Sequence, residues 1–369
     1  MSQPGQATKS GDFPGQGATL ALTGSVRKFV VSLLRAAGAA EGDAATMADG
    51  LIAAEEYGHV GHGLARLPHY VKRLRAGGMR SARPVLARGR GAVEVYDGQD
   101  GFGHTHLRFA ARRAAELARL HGVGAVGVSR SNHAGALGLC AREVAVEGTI
   151  VVLMSNAPAV LAAPSGTIAV VGTNPLALAA PIPGDEPLVC DGGMSQVSRG
   201  LLLRALQEGN AIPLGWAFDA AGEPTTDPGA GLSGTLAPLG GAKGFALAVL
   251  VEVLTGVLLG PRVGPEIGDF FSERSDDPQG ISHLALAFEP TCFGEEGGYE
   301  QRITRLRDAI LASGEPGATR VPGSRARRAP RAEELRVAAT LASQLDELAA
   351  ELGAPAFPRG REEARGGGC

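Results

Sequence analysis

The sequence predicts a mixed α/β fold, because helical and strand patterns are both present and do not alternate regularly. Apolar residues at helical spacing indicate helices near both chain ends and between the central strands. Short Val-rich and Ala-rich runs bounded by Gly, Pro and Asp indicate buried strands. Since the regular strand–helix–strand rhythm of a parallel sheet is missing, we expect an α/β or α+β arrangement.

Helices are predicted where apolar residues recur every three to four positions. They cover about residues 25–37, 42–57, 63–76, 109–120, 138–147, 195–208, 243–259, 299–312 and 332–352. Strands are predicted where β-branched and apolar residues form short runs between turn residues. They cover about residues 93–96, 123–129, 149–154, 188–190 and 284–288. Residues 222–240, rich in Pro, Thr, Asp and Gly, are expected to form a long loop.

Composition and charge exclude several classes of function. The chain has 369 residues, of which 44% are hydrophobic and 20% charged, as is ordinary for a globular protein. A net charge of −3 and a single Trp provide neither a basic field nor stacking platforms, so we expect no nucleic-acid partner. The most apolar stretch, 244–260, is interrupted by Glu252 and is too short for a membrane span, so we expect no membrane partner.

The chain ends and the cysteines bear on localisation. Residues 1–22 are polar and Gly-rich, lack the apolar segment of a signal peptide, and are expected to be a disordered tail. Residues 356–369 are expected to be a flexible C-terminal tail. The four cysteines form no C-x-x-C pair, so free thiols in a reducing compartment are the simplest account. These features predict a cytoplasmic protein.

One stretch, residues 58–70, combines three histidines, an arginine and a tyrosine. If the chain is helical from Gly63 onward, His62, Arg66 and Tyr70 are four residues apart and share one face. A titratable base, a fixed cation and a phenol would then face the same space, which suits a small carboxylate substrate and a proton transfer. At a helix N-terminus His62 would favour its neutral form. Solvated polar residues at the start of a helix are the alternative explanation.

Three further candidates lie at turns. His133 follows a Ser and an Asn that could orient its imidazole. Lys243 follows two glycines at a helix start, where free N–H groups favour anions. Asp191 lies between a strand end and Gly192-Gly193, and it could accept a hydrogen bond from a ribose or orient a histidine. Each residue also has an ordinary structural explanation as a cap or a surface residue.

Two familiar patterns indicate sites that the rest of the sequence does not support. Gly122-x-Gly124-x-x-Gly127 matches the dinucleotide fingerprint, but a helix precedes it and a strand begins inside it, which reverses the required order. A helix-to-strand turn is expected there instead. His59-x-x-His62 and His104-x-His106 are histidine pairs without the further ligands that zinc needs, so no metal site is predicted.

Several motifs taken together resemble the malate/L-lactate dehydrogenase family, which lacks a Rossmann fold. They occur in the family's order over roughly residues 25–355. The motifs are His62-Gly63-Leu64-Ala65-Arg66-Leu67-x-x-Tyr70, Asp97-Gly98-x-x-Gly101-x-Gly103, Ser131-x-His133-x-Gly135-x-x-Gly138, Gly172-Thr173-Asn174-Pro175, Asp191-x-x-x-Ser195, Ile212-Pro213-x-Gly215-Trp216-Ala217, Pro224-Thr225-Thr226-Asp227-Pro228 and Pro238-x-Gly240-Gly241-x-Lys243-Gly244. The family also includes sulfolactate and ureidoglycolate dehydrogenases and reductases of cyclic 2-imino acids.

The resemblance implies a cofactor domain with a mostly antiparallel sheet flanked by helices, and a helical part built from both chain ends. On this basis we expect residues 96–295 to bind NAD or NADP, and residues 23–95 with 296–355 to serve substrate binding and dimerisation. It also implies a homodimer with the active site near the interface. The implied reaction is hydride transfer between NAD(P) and C2 of a small 2-hydroxy or 2-oxo acid. Reduction of a cyclic 2-imino acid, or a catalytically silent binding dimer, are the alternatives.

The resemblance also implies roles for individual residues. His133 matches the proton acceptor of hydroxyacid-oxidising members, and His62 matches a proton-transfer histidine of imine reductases. Arg66 and Tyr70 match substrate-contacting positions, and Asp191 is a candidate catalytic residue. The expected cofactor contacts are Ser155, Asn156, Asp191, Gly192, Gly193, Lys243, Pro322 and Gly323. Gly61 replaces the Ser that many relatives have before the motif histidine, which removes a hydroxyl beside His62.

Overall fold

The structure is a computed structural model that describes residues 17–315, 317–324 and 333–360. The described chain forms two compact units. Residues 17–71 and 333–360 belong to the first unit, and residues 72–315 and 317–324 belong to the second. The sequence-based division falls at residues 95 and 296, whereas the contacts divide the chain near residues 71 and 328.

The helices are α1 (Thr23–Ala36), α2 (Glu41–Glu56), α3 (Leu67–Ala76), α4 (Gly103–His121), α5 (Leu137–Ala145), α6 (Arg199–Glu208), α7 (Pro228–Ser233), α8 (Ala242–Glu252), α9 (Gly298–Ala312) and α10 (Ala339–Leu352). The strands are β1 (Ala18–Leu22), β2 (Val85–Arg90), β3 (Val93–Asp97), β4 (Val123–Ser131), β5 (Ile150–Ser155), β6 (Leu161–Ala162), β7 (Ala169–Val171), β8 (Leu176–Ala180), β9 (Leu188–Gly192), β10 (Ala217–Phe218), β11 (Pro224–Thr225), β12 (Thr235–Leu236), β13 (Ile281–Phe288) and β14 (Glu334–Ala338). The predicted mixture of helices and strands is confirmed.

The first unit joins both ends of the described chain. Strand β1 pairs antiparallel with β14, and α1 buries its apolar face against α2. Near the C-terminus the ring of Phe357 meets the edge of Phe29 at a centroid distance of 5.1 Å, and its N–H donates to Asp346. Strand pairing and aromatic burial therefore order residues 18–22 and 356–360, and the prediction of tails is wrong there. The rest of both predicted tails, 1–16 and 361–369, lies outside the described residues.

The second unit is built on a seven-stranded sheet with the order β2-β3-β4-β13-β5-β8-β9. Every pair in it is antiparallel except β3 with β4. Strand β13 lies between β4 and β5 and is buried along nearly its whole length. This mostly antiparallel sheet, with α4 and α5 packed on it, agrees with the cofactor domain that the resemblance implies.

The glycines that mimic a dinucleotide fingerprint have packing roles. Gly122 ends α4 with a left-handed φ of 82°, and its N–H donates to Ala118. A Cβ on Gly124 would lie 2.0 Å from the carbonyl oxygen of Ala114, so α4 lies directly against β4 there. A Cβ on Gly127 would lie 2.5 Å from Leu259. The prediction of a helix-to-strand turn is therefore confirmed.

Several predicted elements differ from the structure. The third helix begins at Leu67, after two separate 3-10 turns, and α6 begins at Arg199 rather than near residue 195. Residues 332–352 form β14 before α10, with residue 332 outside the described chain. The predicted loop 222–240 contains α7, because Asp227 caps the Gly229 N–H and Pro228 occupies the first helical position. Helix α8 continues into a π-helical turn, Val253–Val257.

The start of α4 provides a test of close packing. A Cβ on Gly103 would lie 1.9 Å from the carbonyl oxygen of Asn132 and 2.4 Å from that of His133. We therefore expect Gly103→Ala to lower the free energy of unfolding by about 2–3 kcal/mol in urea titrations. Gly42→Ala in α2 is the matched control, because open space surrounds Gly42, and it should be neutral or stabilising by about 0.5 kcal/mol. Equal effects of the two variants would contradict the packing argument.

Candidate active site

The histidine-rich stretch of the first unit is not a continuous helix. His62 ends one 3-10 turn, Val60–His62, and Arg66 ends a second, Leu64–Arg66. The guanidinium Nε of Arg66 donates to the carbonyl oxygen of Gly61 at 2.6 Å. The cation is therefore held against the turn that carries His62, although the predicted helical spacing from Gly63 is wrong.

Burial sets the electrostatics of this stretch. Burial, together with the nearby charges of Arg66 and His59, lowers the pKa of His62 to about 4. His62 is thus neutral at neutral pH, through burial rather than through the helix N-terminus that the sequence suggests. Burial also raises the pKa of the fully buried Tyr70 far above its usual range, so its phenol keeps its proton. Burial lowers the pKa of Arg66, and Tyr70 opposes this shift.

A residue that sequence reasoning missed, Glu55, fixes the middle of the stretch. Its Oε1 accepts a hydrogen bond from the N–H of Leu64 at 2.7 Å. A Cβ on Gly63 would lie 2.2 Å from the same oxygen, so only glycine lets the carboxyl group approach. Burial raises the pKa of Glu55 to about 7, against the opposing effect of the Leu64 N–H. In sequence Glu55 is one of two adjacent glutamates that end an amphipathic helix, which gives no sign of burial.

In the second unit His133 lies between β4 and α5. Its backbone N–H donates to Gln279 Oε1 at 3.0 Å. Its half-buried ring packs on Phe270 with centroids 4.9 Å apart and a tilt of 34°, and the His104 ring lies 6.5 Å away. The imidazole therefore packs against aromatic rings, a contact that the sequence did not indicate.

The Ser and Asn before His133 have different partners from those expected. Ser131 Oγ lies 2.9 Å from both His106 Nδ1 and His283 Nε2. Asn132 Nδ2 donates to the carbonyl oxygens of Asp100 and Gly101. The two histidines of the pair His104-x-His106, considered above as a metal motif, thus have separate places. The ring of His104 lies near His133, and the ring of His106 hydrogen-bonds to the buried Ser131.

The predicted cofactor residues around Asp191 meet at the end of β9. Asp191 is exposed, and its Oδ2 accepts the N–H of Gly138 in the first turn of α5 at 2.9 Å. A Cβ on Gly138 would lie 2.7 Å from Asp191, so this glycine allows the contact. A Cβ on Gly193 would lie 3.3 Å from Thr173, whereas open space surrounds Gly192. Three of the sequence motifs therefore converge at this point of the second unit.

The other end of β9 holds Pro322 and Gly323. The carbonyl oxygen of Pro322 accepts the N–H of Val189 at 3.0 Å, and that of Gly323 accepts from Arg142 at 2.6 Å. Gly323 has a left-handed φ of 84° and approaches Val189 closely. These contacts attach the segment to the strand that carries Asp191.

Ser155 and Asn156 are buried, and their side chains bond within the protein. Asn156 Oδ1 accepts the N–H of Ser282 at 2.8 Å, and its Nδ2 donates to Glu252 at 3.2 Å. Glu252, which interrupts the apolar run in the sequence, also accepts from Asn174 Nδ2 at 2.8 Å. The backbone N–H of Asn156 also donates to the carbonyl oxygen of Ser282 at 3.3 Å, so backbone and side chain are both bonded within the protein.

The first turn of α8 presents an anion-binding geometry. Gly240 and Gly241 have left-handed φ values of 62° and 69°, and the described chain leaves open space where their Cβ atoms would be. No side chain of the described residues caps this helix, and Lys243 is exposed. Uncapped N–H groups and an ammonium group together favour a negatively charged ligand.

The described ranges contain neither a cluster of metal ligands nor a membrane-spanning helix. No three His, Cys, Asp or Glu side chains there are grouped so that they could hold a metal ion. No described helix combines the length and apolar character needed to cross a membrane.

The carboxyl group of Glu55 should make stability depend on pH. Its pKa is about 7 in the folded state against about 4.3 in an unfolded chain, so the folded protein loses stability as pH rises between these values. We expect Glu55→Gln, which keeps an acceptor for Leu64, to raise the free energy of unfolding by about 1–2 kcal/mol at pH 8. The gain should disappear near pH 4.5 in urea titrations. Glu41→Gln on the exposed start of α2 is the control, and a gain independent of pH would contradict the assignment.

The chain is similar to known dehydrogenases and reductases. A family model described as malate/L-lactate dehydrogenase matches residues 23–347. The chain is 37% identical over 319 residues to a (2R)-3-sulfolactate dehydrogenase (NADP(+)) of Chromohalobacter salexigens, covering 86% of this chain and 94% of that protein. It is 33% identical over 271 residues to Delta(1)-pyrroline-2-carboxylate reductase 2 of Burkholderia multivorans, covering 72% and 77%.

A solved structure, the sulfolactate dehydrogenase from Methanocaldococcus jannaschii, has the same fold. The TM-score is 0.81 at 27% sequence identity, with 91% of this chain and 98% of that chain covered. The family model alone spans most of the sequence. The ordered motifs, the mostly antiparallel sheet and these matches lead to one conclusion: the chain belongs to the malate/L-lactate dehydrogenase family.

Proposed function

We propose that the protein is an NAD(P)-dependent oxidoreductase that transfers a hydride between the nicotinamide and C2 of a small 2-hydroxy or 2-oxo acid. The observation that carries the proposal is the pairing of a neutral His62 with the Arg66 guanidinium in one short stretch. A guanidinium suits a carboxylate, and a neutral imidazole suits proton transfer. The sulfolactate dehydrogenase relative supports a hydroxy-acid substrate.

The second unit fits a dinucleotide. The uncapped first turn of α8 with Lys243 suits the phosphates, and the exposed carboxylate of Asp191 suits a ribose hydroxyl. The bound nicotinamide supplies the hydride chemistry. The NADP(+) in the name of one relative supports NADP, and the chain's own residues allow either NAD or NADP.

The chain's residues then have distinct roles. Arg66 holds the substrate carboxylate, and the buried Tyr70 opposes the lowering of the Arg66 pKa that burial causes. His133 takes the hydroxyl proton when an alcohol is oxidised and returns it in the reverse direction. His62 has the corresponding role for an imine. The alternative activity, reduction of a cyclic 2-imino acid, is favoured by the low pKa of His62 and by the pyrroline-2-carboxylate reductase relative.

The first test measures loss of NADPH or NADH absorbance with 3-sulfopyruvate, oxaloacetate, pyruvate and pyrroline-2-carboxylate. We expect turnover of at least one 2-oxo acid. His133→Ala should lower kcat for the 2-oxo acid by about 10²–10⁴-fold, because a positioned acid–base group contributes that much. Arg66→Ala should mainly raise KM for the acid, through loss of the carboxylate contact.

The control for these variants is His121→Ala, an exposed histidine at the end of α4, which should keep full activity. Calorimetric titration with NADPH separates the alternatives. Cofactor binding without turnover would identify a catalytically silent member, and neither binding nor turnover would refute the oxidoreductase. Activity on the imine alone, lost in His62→Ala, would establish the reductase.

We also propose a cytoplasmic homodimer with its active site near the dimer interface. Helix α8 and the π-helical turn expose an apolar face that a lone subunit would leave in water. Its members are Leu247, Leu250, Val253, Val257 and Leu258. A second copy of the chain is the proposed partner for this face. The free thiols of Cys140, Cys190 and Cys292 support a reducing compartment.

The apolar face of α8 predicts how dimerisation can be disrupted. Leu250→Glu combined with Val257→Glu should convert the dimer to monomer in sedimentation equilibrium, because two charges would be buried in the interface. Leu120→Glu, at a leucine that is 73% exposed on α4, is the matched control and should leave the mass unchanged. A dimer that survives the double substitution would exclude this face as the interface.

A further inference from the structure

The peptide group that joins Asn132 to His133 has both polar atoms bonded to side chains. Its N–H donates to Gln279 Oε1 at 3.0 Å. Its carbonyl oxygen lies 3.2 Å from His283 Nε2. We infer that Gln279 and His283 are positioning residues that fix the backbone of His133 and thereby aim its imidazole. The inference rests on the proposed role of His133 in proton transfer.

The orientation of the Gln279 amide is fixed by a second bond. Its Nε2 donates to the carbonyl oxygen of Gly268 at 3.1 Å, which leaves Oε1 to face His133. The backbone N–H of Gly268 donates in turn to the carbonyl oxygen of Gln279 at 3.0 Å. Gln279 is fully buried, so water does not compete for these bonds. The same segment carries Phe270, against which the His133 ring packs.

The protonation of His283 is fixed by a chain of bonds that ends at Ala82. The carbonyl oxygen of Ala82, 3.1 Å from His106 Nε2, can only accept, so this nitrogen carries the hydrogen. His106 is fully buried, which favours its neutral form, so its other nitrogen accepts the single hydroxyl hydrogen of Ser131. Ser131 Oγ can therefore only accept from His283, whose Nε2 must carry a hydrogen.

A separate observation also places the hydrogen of His283 on Nε2. The carbonyl oxygen of Asn132 also needs a donor, and His283 Nε2 is within reach of it. The remaining nitrogen of His283, Nδ1, then carries no hydrogen and lies 3.0 Å from Ser155 Oγ, whose hydroxyl also donates to the carbonyl oxygen of Asn156 at 2.9 Å. Burial lowers the pKa of His283 to about 3, which keeps its ring neutral. Every hydrogen from His283 Nε2 through Ser131 and His106 to Ala82 thus has one direction.

This series of hydrogen bonds explains why polar side chains occupy the centre of a sheet. His106, Ser131 and His283 are all fully buried, and each hydrogen bond satisfies both partners. A wrong tautomer of His283 would direct a lone pair at the Asn132 carbonyl and release the peptide that holds His133. The network therefore permits one backbone position for His133.

The first experiment is independent of activity. Long-range ¹⁵N correlation spectra of the full chain labelled with ¹⁵N-histidine should show His106 and His283 as neutral Nε2–H tautomers, unchanged between pH 5.5 and 8. Signals are assigned from the His106→Gln and His283→Gln variants. An Nδ1–H tautomer of His283, or its titration within this range, would overturn the inference.

The second experiment varies Gln279. Gln279→Met keeps the volume and removes the acceptor, and kcat for the 2-oxo acid should fall about 10–100-fold because the imidazole is misplaced. KM for NADPH should stay within about twofold of the parent value. Gln279→Glu keeps the acceptor for His133 but loses the donor to Gly268, so it should retain more of the rate than Gln279→Met. Its carboxylate should also raise the pKa of His133 and move the pH profile upward.

Gln207→Ala, on the exposed side of α6, is the control and should match the parent protein. A parent-like kcat in Gln279→Met would overturn the positioning role. If the protein turns over no substrate, the His133 ring protons provide the measurement. Contact with Phe270 should shift them in the parent and in Gln279→Glu. Loss of that shift in Gln279→Met supports the inference, and an unchanged shift refutes it, whatever the outcome for the proposed function.

Discussion

The close approach of α4 to the end of β4 is the constraint on which the second unit depends. The carbonyl oxygens of Asn132 and His133 lie where a side chain on Gly103 would be, so this glycine allows the helix to begin there. Gly98 and Gly101 make equal room for the imidazole of His106, which would meet a Cβ at 2.7 and 2.6 Å. Once that ring is in place, the hydrogen-bond chain to His283 can form. Three glycines therefore control the backbone of a proposed catalytic histidine.

Each unit prepares its functional groups by a different physical route. In the first unit, burial keeps His62 and Tyr70 uncharged, and the Glu55 carboxyl holds the turn between His62 and Arg66. In the second unit, hydrogen bonds of fixed direction hold His133, while its ring stays half-buried and accessible. Burial shifts the pKa of a side chain but also reduces its contact with a substrate. A fixed backbone at His133 instead leaves the imidazole ring open to a substrate.

Sequence patterns predicted the fold class and most helices, because apolar spacing reports which face of an element is buried. These patterns did not predict structure that depends on a contact with a residue far away in the sequence. Strand β1 is ordered by β14, more than 300 residues away, and no local pattern reveals that pairing. Glu55 and His283 look like ordinary polar residues, and their importance depends on which backbone atoms they meet. Sequence patterns singled out the motif residues. They did not show that the side chains of Ser131 and Asn156 form buried hydrogen bonds, to His283 and Ser282 respectively, a role that residue type alone does not show.

Gly61 shows how packing and chemistry can be separated. Many relatives have Ser at this position, so a glycine could indicate either a crowded site or a change of mechanism. The described chain leaves open space where its Cβ would be, and its φ is not left-handed, so a serine would fit. Its carbonyl oxygen already accepts from Arg66, a contact that any residue could make. Sterics therefore do not require the glycine. Position 61 therefore offers no hydroxyl beside His62, and the proposed proton transfer at that imidazole would take place without one from this residue.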